Sequence, residues 1–206
     1  MYAKFENLDE EKRERILKAA MKEFSHKGYD QASTNEMVKE ADIAKGLLFH
    51  YFKSKKQLFF YIYDHCIERI TSELYASSSM EEQDFFVKIR LAQQAKLELL
   101  NKYPDMFKFV QVAYMDESPA IRLEMEQKNQ KLINLSANKM FESIDRTKFK
   151  DGLDIQMVIN IVFWSLEGYS NSYMLTVKQT RAANDFSKAF EDVNEYIKLF
   201  KECFYK

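Results

Sequence analysis

Between Ile43 and Tyr63 the chain carries no carboxylate, yet it places Lys45, His50, Tyr51, Lys53, Lys55 and Lys56 within twelve residues of one another. Ammonium, imidazole and phenol groups in one short segment can donate to phosphates and to the edges of bases. They lack an acidic partner in their own segment, so the positive potential there is local, although the formal net charge of the whole chain is −1. Local density is what a phosphate surface feels. The segment is preceded by a second short helical pattern, Ser33 to Ala41. Two short helices joined by a three- to four-residue turn form the frame that presents a helix to a DNA major groove.

The turn reads residue by residue. Ser33-Thr34-Asn35-Glu36 has the form of a capping box, with Ser33 expected to accept from the Glu36 amide and Glu36 to reach back. Met37, Val38 and Ala41 supply the apolar side of the first short helix. Asp42 sits at the sharp turn, where its short polar side chain tolerates left-handed dihedrals. Ile43 fills the angle between the helices. Leu48 and Phe52, four apart, face inward, which leaves Lys45, Leu47, Phe49, His50 and Tyr51 outside. Gly46 costs about 1 kcal/mol relative to Ala within a helix, which makes sense if a backbone must approach closely there.

From residue 11 to residue 60 the sequence resembles the DNA-binding region of the tetracycline-repressor (TetR) family. The resemblance rests on an amphipathic helix, Ile16 to Gly28, and on Ser33 to Ala41. It continues through Lys45-Gly46-Leu47-Leu48-Phe49-His50-Tyr51-Phe52 and the Ser54-Lys55 pair that opens a fourth helix. It implies that Ser33, Thr34, Lys45, Gly46, Leu47, Phe49, His50, Tyr51 and Lys55 contact DNA. Two positions depart from the family pattern. Asp42 replaces the usual turn glycine, and Phe49 replaces a tyrosine whose hydroxyl would reach a phosphate. The resemblance further implies a helix–turn–helix domain over residues 1–53 and a helical ligand-binding and dimerisation domain over residues 54–206. It implies a homodimer on double-stranded operator DNA, released by a small effector.

Composition sets the class. Only 4 Gly and 2 Pro occur among 206 residues, 46% hydrophobic and 31% charged, which predicts an all-α chain of about nine helices with short connections. The serine triplet Ser77-Ser78-Ser79 is read as the end of the fourth helix. The longest uncharged run, Ile155 to Leu166, is shorter than the ~20 apolar residues a membrane span needs, so no membrane partner is expected. The N-terminus lacks the apolar run of a signal peptide, and Cys66 and Cys203 form no disulfide framework. A cytoplasmic protein is expected.

The 17 Phe and 12 Tyr cluster in the middle helices and point to an apolar or amphipathic effector in an aromatic-lined pocket. Candidates are Phe107, Tyr114, Trp164, Tyr169 and Tyr173, with Arg90 as polar anchor. Residues 153–178 carry apolar side chains on every side, which predicts a helix buried all round. In the final helix Phe186, Phe190, Val193, Ile197, Phe200 and Phe204 recur at heptad-like intervals. With Trp164, the seam residues Phe190, Val193, Ile197, Phe200 and Phe204 are read as the dimer interface. An amphipathic series Ile133, Ala137, Phe141, Ile144 precedes these helices. No glycine-rich phosphate loop, nucleophile elbow, metal-ligand spacing or catalytic constellation occurs, so no enzyme, cofactor or metal site is expected. A helical carrier of apolar ligands is the alternative reading.

Overall fold

A computed structural model of the chain describes residues 2–77, 81–141, 143–180 and 187–206. Ser78, Ser79 and Phe186, and the side chains of Ala137 and Phe141, lie outside the described residues. The described residues form ten α-helices: α1 Ala3–Glu6, α2 Glu10–Gln31, α3 Thr34–Glu40, α4 Lys45–Phe52, α5 Lys55–Tyr75, α6 Phe85–Lys102, α7 Pro104–Tyr114, α8 Arg122–Phe141, α9 Ile155–Thr180 and α10 Ser187–Phe204. No β-strand occurs among them, and the only bridge is Phe149 with Tyr205. The all-α expectation holds. The helix beyond the expected nine is α1, a single turn held on by its aromatic rings.

The chain separates into two compact units, Met1–Leu74 with Glu98–Ile133, and Tyr75–Leu97 with Asn134–Lys206. Neither boundary falls at residues 53 and 54. The physical reason lies in α5. Its Leu58, Phe59, Phe60, Ile62, Tyr63 and Cys66 are buried in the same cluster as Ile16, Leu17, Ala20 and Phe24 of α2, Leu48 and Phe52 of α4, and Phe109 and Ala113 of α7. Phe59 stands edge-on to Phe24 at 5.1 Å and to Phe109 at 5.5 Å. Full burial of a side chain of this size contributes roughly 1.5–3 kcal/mol. The helices that carry the cationic segment therefore share one core with α5 and α7. Within this cluster burial pushes the Cys66 thiol up to about 12, so it is an inert core group.

The α2 helix turns at Gly28, where φ is +68°. With ψ at −179°, that conformation suits glycine alone, and it agrees with the glycine ending the first amphipathic helix. Tyr29 Nα–H donates to Asp116 Oδ2 at 2.6 Å, Ser118 Nα–H donates to Asp116 Oδ1 at 2.9 Å, and Ser118 Oγ donates to Asp30 Oδ1 at 2.7 Å. The α7–α8 connection is thus bonded to the end of α2.

The second unit has its own core of Phe85, Phe86, Ile89, Phe149, Val158, Ile159, Val162, Val193, Ile197 and Tyr205. Asp84 caps α6 by accepting from Phe86 and Val87 amides at 3.1 and 3.0 Å. It also pairs with Lys148 at 2.8 Å and accepts from the Tyr205 hydroxyl at 3.2 Å. Burial would raise the pKa of Asp84, but the bonds from Lys148 and the Val87 amide outweigh it and hold the carboxyl below its ordinary value.

Two expectations for this unit are corrected. The α9 helix is not buried all round within the chain. Val158, Ile159 and Val162 are buried, whereas Met157, Ile161, Trp164 and Leu175 are exposed, Trp164 at 64%. The seam of α10 faces its own chain. Val193 and Ile197 are buried in the second core, Phe200 and Phe204 pack against it, and Phe190 is half-buried. The outward face of α10 is instead Tyr196, Leu199 and Cys203. Periodicity identifies an apolar stripe correctly, and the core of the chain claims it first.

Candidate nucleic-acid interface

The α3–turn–α4 element is set by three local devices. Asp42 takes φ +52° at the turn, and the Ile43 amide donates to the Val38 carbonyl at 3.0 Å. Met37, Val38 and Ala41 are buried below α3, and Leu48 and Phe52 below α4, with Ile43 packed between. Lys22 of α2 pairs with Glu40 of α3 at 2.6 Å. The inward and outward faces of α4 are therefore the ones its 3.6-residue period predicts.

The capping box does not form. Ser33 is the N-cap of α3, but its side chain makes no capping bond. Its amide donates instead to Glu23 Oε1 of α2 at 2.9 Å. Glu23 also pairs with Lys27 at 2.9 Å. Burial tends to raise the Glu23 pKa, and the bonds from Lys27 and the Ser33 amide prevail and lower it. A carboxylate from a neighbouring helix thus takes the role expected of Glu36, and the Ser33 and Thr34 hydroxyls keep their donors at the start of α3.

On α4, Lys45, Gly46 and His50 are exposed, and Leu47, Phe49 and Tyr51 are half-buried. A Cβ built on Gly46 meets nothing of the chain within 4 Å. No internal packing requires glycine there, and its bare backbone leaves this part of α4 open to close approach. The first turn of α4 carries no acidic residue and no side-chain cap, so its free amides add to the positive potential. Tyr51 is partly occupied, since its ring lies 5.7 Å from Phe5.

The four lysines separate into two kinds. Lys45 and Lys53 are exposed and carry no hydrogen bond or ion pair among the described residues. Lys53 sits at φ +56° as the C-cap of α4. Spacing alone does not show which lysines of this segment other elements engage. Lys56 is opposed by Glu124 of α8 at 3.0 Å. Lys55 donates to the carbonyls of Asp30 and Ala32 at 3.1 and 3.2 Å and lies 4.7 Å above the Tyr29 ring. Its ammonium thus closes the end of α2. Lys55→Ala should lower thermal stability yet leave the salt dependence of DNA binding unchanged. Lys45→Ala should keep stability and reduce the slope of log K against log salt by about 0.9 for each phosphate no longer neutralised. Mobility shifts at several salt concentrations, with melting curves beside them, check both.

The other candidate set is not gathered in one unit. Phe107 is half-buried and Tyr114 is 43% exposed, both in the first unit. Arg90, Trp164, Tyr169 and Tyr173 belong to the second. Arg90 is exposed there rather than an interior anchor. Tyr169 stacks on Tyr173 at 6.4 Å, packs against Tyr196 at 5.5 Å and donates its hydroxyl to Asp192 at 2.6 Å. Tyr169, Asp192, Glu195, Tyr196 and Leu199 line a shallow groove on the α9–α10 face. Among the described residues no cluster of His, Cys, Asp and Glu could hold a metal, and no helix is long and apolar enough to cross a membrane.

A braced short helix with an acid-free, donor-bearing face defines a helix–turn–helix DNA-binding protein. Residues 16–62 match the model for bacterial regulatory proteins of the tetR family, and the chain has the fold of TetR-family regulators. It is 24% identical over 169 residues to the uncharacterized HTH-type transcriptional regulator YdgC of Bacillus subtilis, covering 81% of this chain and 83% of that protein. It is 21% identical over 156 residues to the fatty acid metabolism regulator protein of the same organism, covering 74% and 78%. The structure of the transcriptional regulator FadR from Bacillus subtilis, in complex with stearoyl-CoA, has the same fold. It superposes with a TM-score of 0.64 at 20% identity, over 89% of this chain and 96% of that one. The relatives that it matches along most of its length are transcriptional regulators.

Proposed function

We propose that this regulator is a homodimeric repressor, released from a near-palindromic operator when a small amphipathic ligand of the long-chain acyl thioester class binds it. Residues 1–53 carry the DNA contacts and residues 54–206 carry effector binding and dimerisation. The observation that carries the DNA half is the outward face of α4, with Lys45, Gly46, Leu47, Phe49, His50 and Tyr51 presented on a helix whose other side is fully buried. Ser33 and Thr34 at the start of α3 add hydroxyl donors for the backbone. Phosphate contacts fix position, and His50 and Leu47 select sequence.

The effector half rests on aromatic richness and on likeness of fold to a regulator bound to stearoyl-CoA. The dimer rests on the exposed stripe Met157, Ile161 and Trp164 of α9 and on the exposed Tyr196 and Leu199 of α10. A contiguous apolar stripe of this kind marks an interaction surface. Release is linkage: a ligand that favours a spacing of the two recognition helices unsuited to DNA weakens DNA binding, and DNA weakens ligand binding by the same factor.

The test is a mobility shift on the DNA upstream of the protein's own gene, with and without stearoyl-CoA, with stearate and coenzyme A as separate controls. Stearoyl-CoA should weaken binding at least tenfold and the controls much less. Binding that is unaffected by stearoyl-CoA overturns the effector class. Absence of binding to the upstream DNA with retained binding of stearoyl-CoA favours the carrier reading.

A further inference from the structure

The N-terminal turn α1 has no part in the helix–turn–helix frame, yet it is fastened to the recognition helix. Phe5 is fully buried, with ring centroids 4.6 Å from Phe52, 5.7 Å from Tyr51 and 5.3 Å from Tyr61. Tyr2 packs 5.7 Å from Phe52 and 4.7 Å from Tyr61. Arg13 of α2 donates to the Glu6 carbonyl at 3.1 Å, which closes the far end of the turn. Two of the rings that hold α1, Tyr51 and Phe52, belong to α4 itself. Lys4 lies between the two anchors, Tyr2 and Phe5, and is exposed. Its Nζ lies 3.4 Å from Nε2 of His50, on the outward face of α4.

We infer that Lys4 is a further DNA-contact residue, whose ammonium, held beside His50, takes a backbone phosphate next to the recognition helix. The inference rests on the reading of the α4 face as the DNA surface. Its chemistry follows from the groups present. A lysine ammonium has three donors and no acceptor, and one of them lies within reach of Nε2 of His50. At 3.4 Å the bond is at its long limit, and two of the three ammonium donors remain for an anion. The lysine does not hang from a loose terminus. The rings of Tyr2 and Phe5 fix its backbone, so less freedom is lost when it engages a phosphate. The neighbouring acidic group on the turn, Glu6, forms no ion pair with it among the described residues.

The test uses the full-length protein and a random-sequence duplex, which isolates phosphate contacts from base reading. Binding is measured from low to moderate salt for the wild type and for Lys4→Ala, Lys4→Arg, Lys45→Ala and Lys188→Ala. Lys188 is an exposed lysine of the second unit and controls for net charge. Lys4→Ala should flatten the salt slope by about 0.9 for each phosphate it ceases to neutralise, with an unchanged melting temperature. Lys4→Arg should retain the slope and Lys188→Ala should leave it untouched. If Lys45→Ala flattens the slope and Lys4→Ala does not, Lys4 does not touch DNA while the α4 face stands. If neither changes it, the α4 reading itself fails. Equal effects of Lys4→Ala and Lys188→Ala would reduce the result to overall charge and overturn the assignment. Phe5→Leu keeps an apolar group in the core but loosens the turn. It should lose part of the same slope while binding as a folded protein, as a purely structural Lys4 would not require.

Discussion

Ile197→Asp should collapse the second unit rather than separate two subunits. Ile197 is 7% exposed and packs with Val193, Val158, Val162 and Phe86 in one core. A carboxylate there would sit among apolar side chains, and a buried charge left without compensation costs on the order of 3–5 kcal/mol. A domain is stable by about 5–15 kcal/mol, so the loss is a large share of the whole. The contrasting variant is Ile161→Asp. Ile161 is 40% exposed, on the stripe shared with Met157 and Trp164, so its charge stays hydrated in an isolated subunit and the fold is retained. In a dry dimer interface the same charge should raise the dissociation constant at least thirtyfold, the effect of a ~2 kcal/mol central interaction. Trp164, the only tryptophan, reports the outcome. Its emission should be blue-shifted in the wild-type dimer and move to the red in Ile161→Asp at the same concentration, with far-ultraviolet circular dichroism preserved. Sedimentation of Ile161→Asp as an unchanged dimer would place the interface elsewhere. A well-folded monomer from Ile197→Asp would restore the α10 seam as the dimer surface.

These two variants mark the limit of what the sequence makes legible. The in-and-out pattern of α4 is readable because it is local: Leu48 and Phe52 lie one turn apart, and burial of that stripe decides the face of everything between. Asp42 is readable for the same reason, since its left-handed turn depends on its own short side chain. The α10 stripe is legible as a stripe, but its partner is not. A heptad-like seam looks the same whether it meets its own chain or a second copy, and only the packing of Val193 and Ile197 against α6 and α9 decides. The partners of Lys55 and Ser33 are hidden for a related reason. Their partners, the Asp30 and Ala32 carbonyls and the Glu23 carboxylate, come from α2 and its end, and no spacing rule within the helix–turn–helix reports them. The aromatic set is legible as a composition but not as a pocket, because Phe107 and Tyr114 fold with the first unit and Tyr169 and Tyr173 with the second.

Gly28→Ala should destabilise the first unit by roughly 2–3 kcal/mol through two separable causes, backbone strain and a steric clash, and a double-mutant cycle can divide them. The first is the backbone. At φ +68° an L-residue costs about 1–2 kcal/mol. The second is the clash. A Cβ on residue 28 would lie 3.2 Å from Asp116 Oδ2, closer than ordinary van der Waals packing. That carboxylate has little freedom to retreat, because it holds the Tyr29 amide at 2.6 Å and the Ser118 amide at 2.9 Å. Asp116→Ala alone removes both acceptors and should cost about 1–3 kcal/mol for the amides left unsatisfied. In the double variant the clash is gone, while the φ penalty and the unsatisfied amides persist. The two single losses should therefore sum to more than the double variant shows, with a coupling of about 0.5 kcal/mol or more. For a chain of this size each kcal/mol moves the melting temperature by about 2–4 °C, so the Gly28→Ala shift is easily read. Strict additivity would mean that Asp116 yields freely and that the conformation of Gly28 alone sets the cost. No destabilisation by Gly28→Ala would mean that the chain does not turn left-handed at the end of α2, and the carbonyls of Asp30 and Ala32 would then not be where Lys55 meets them.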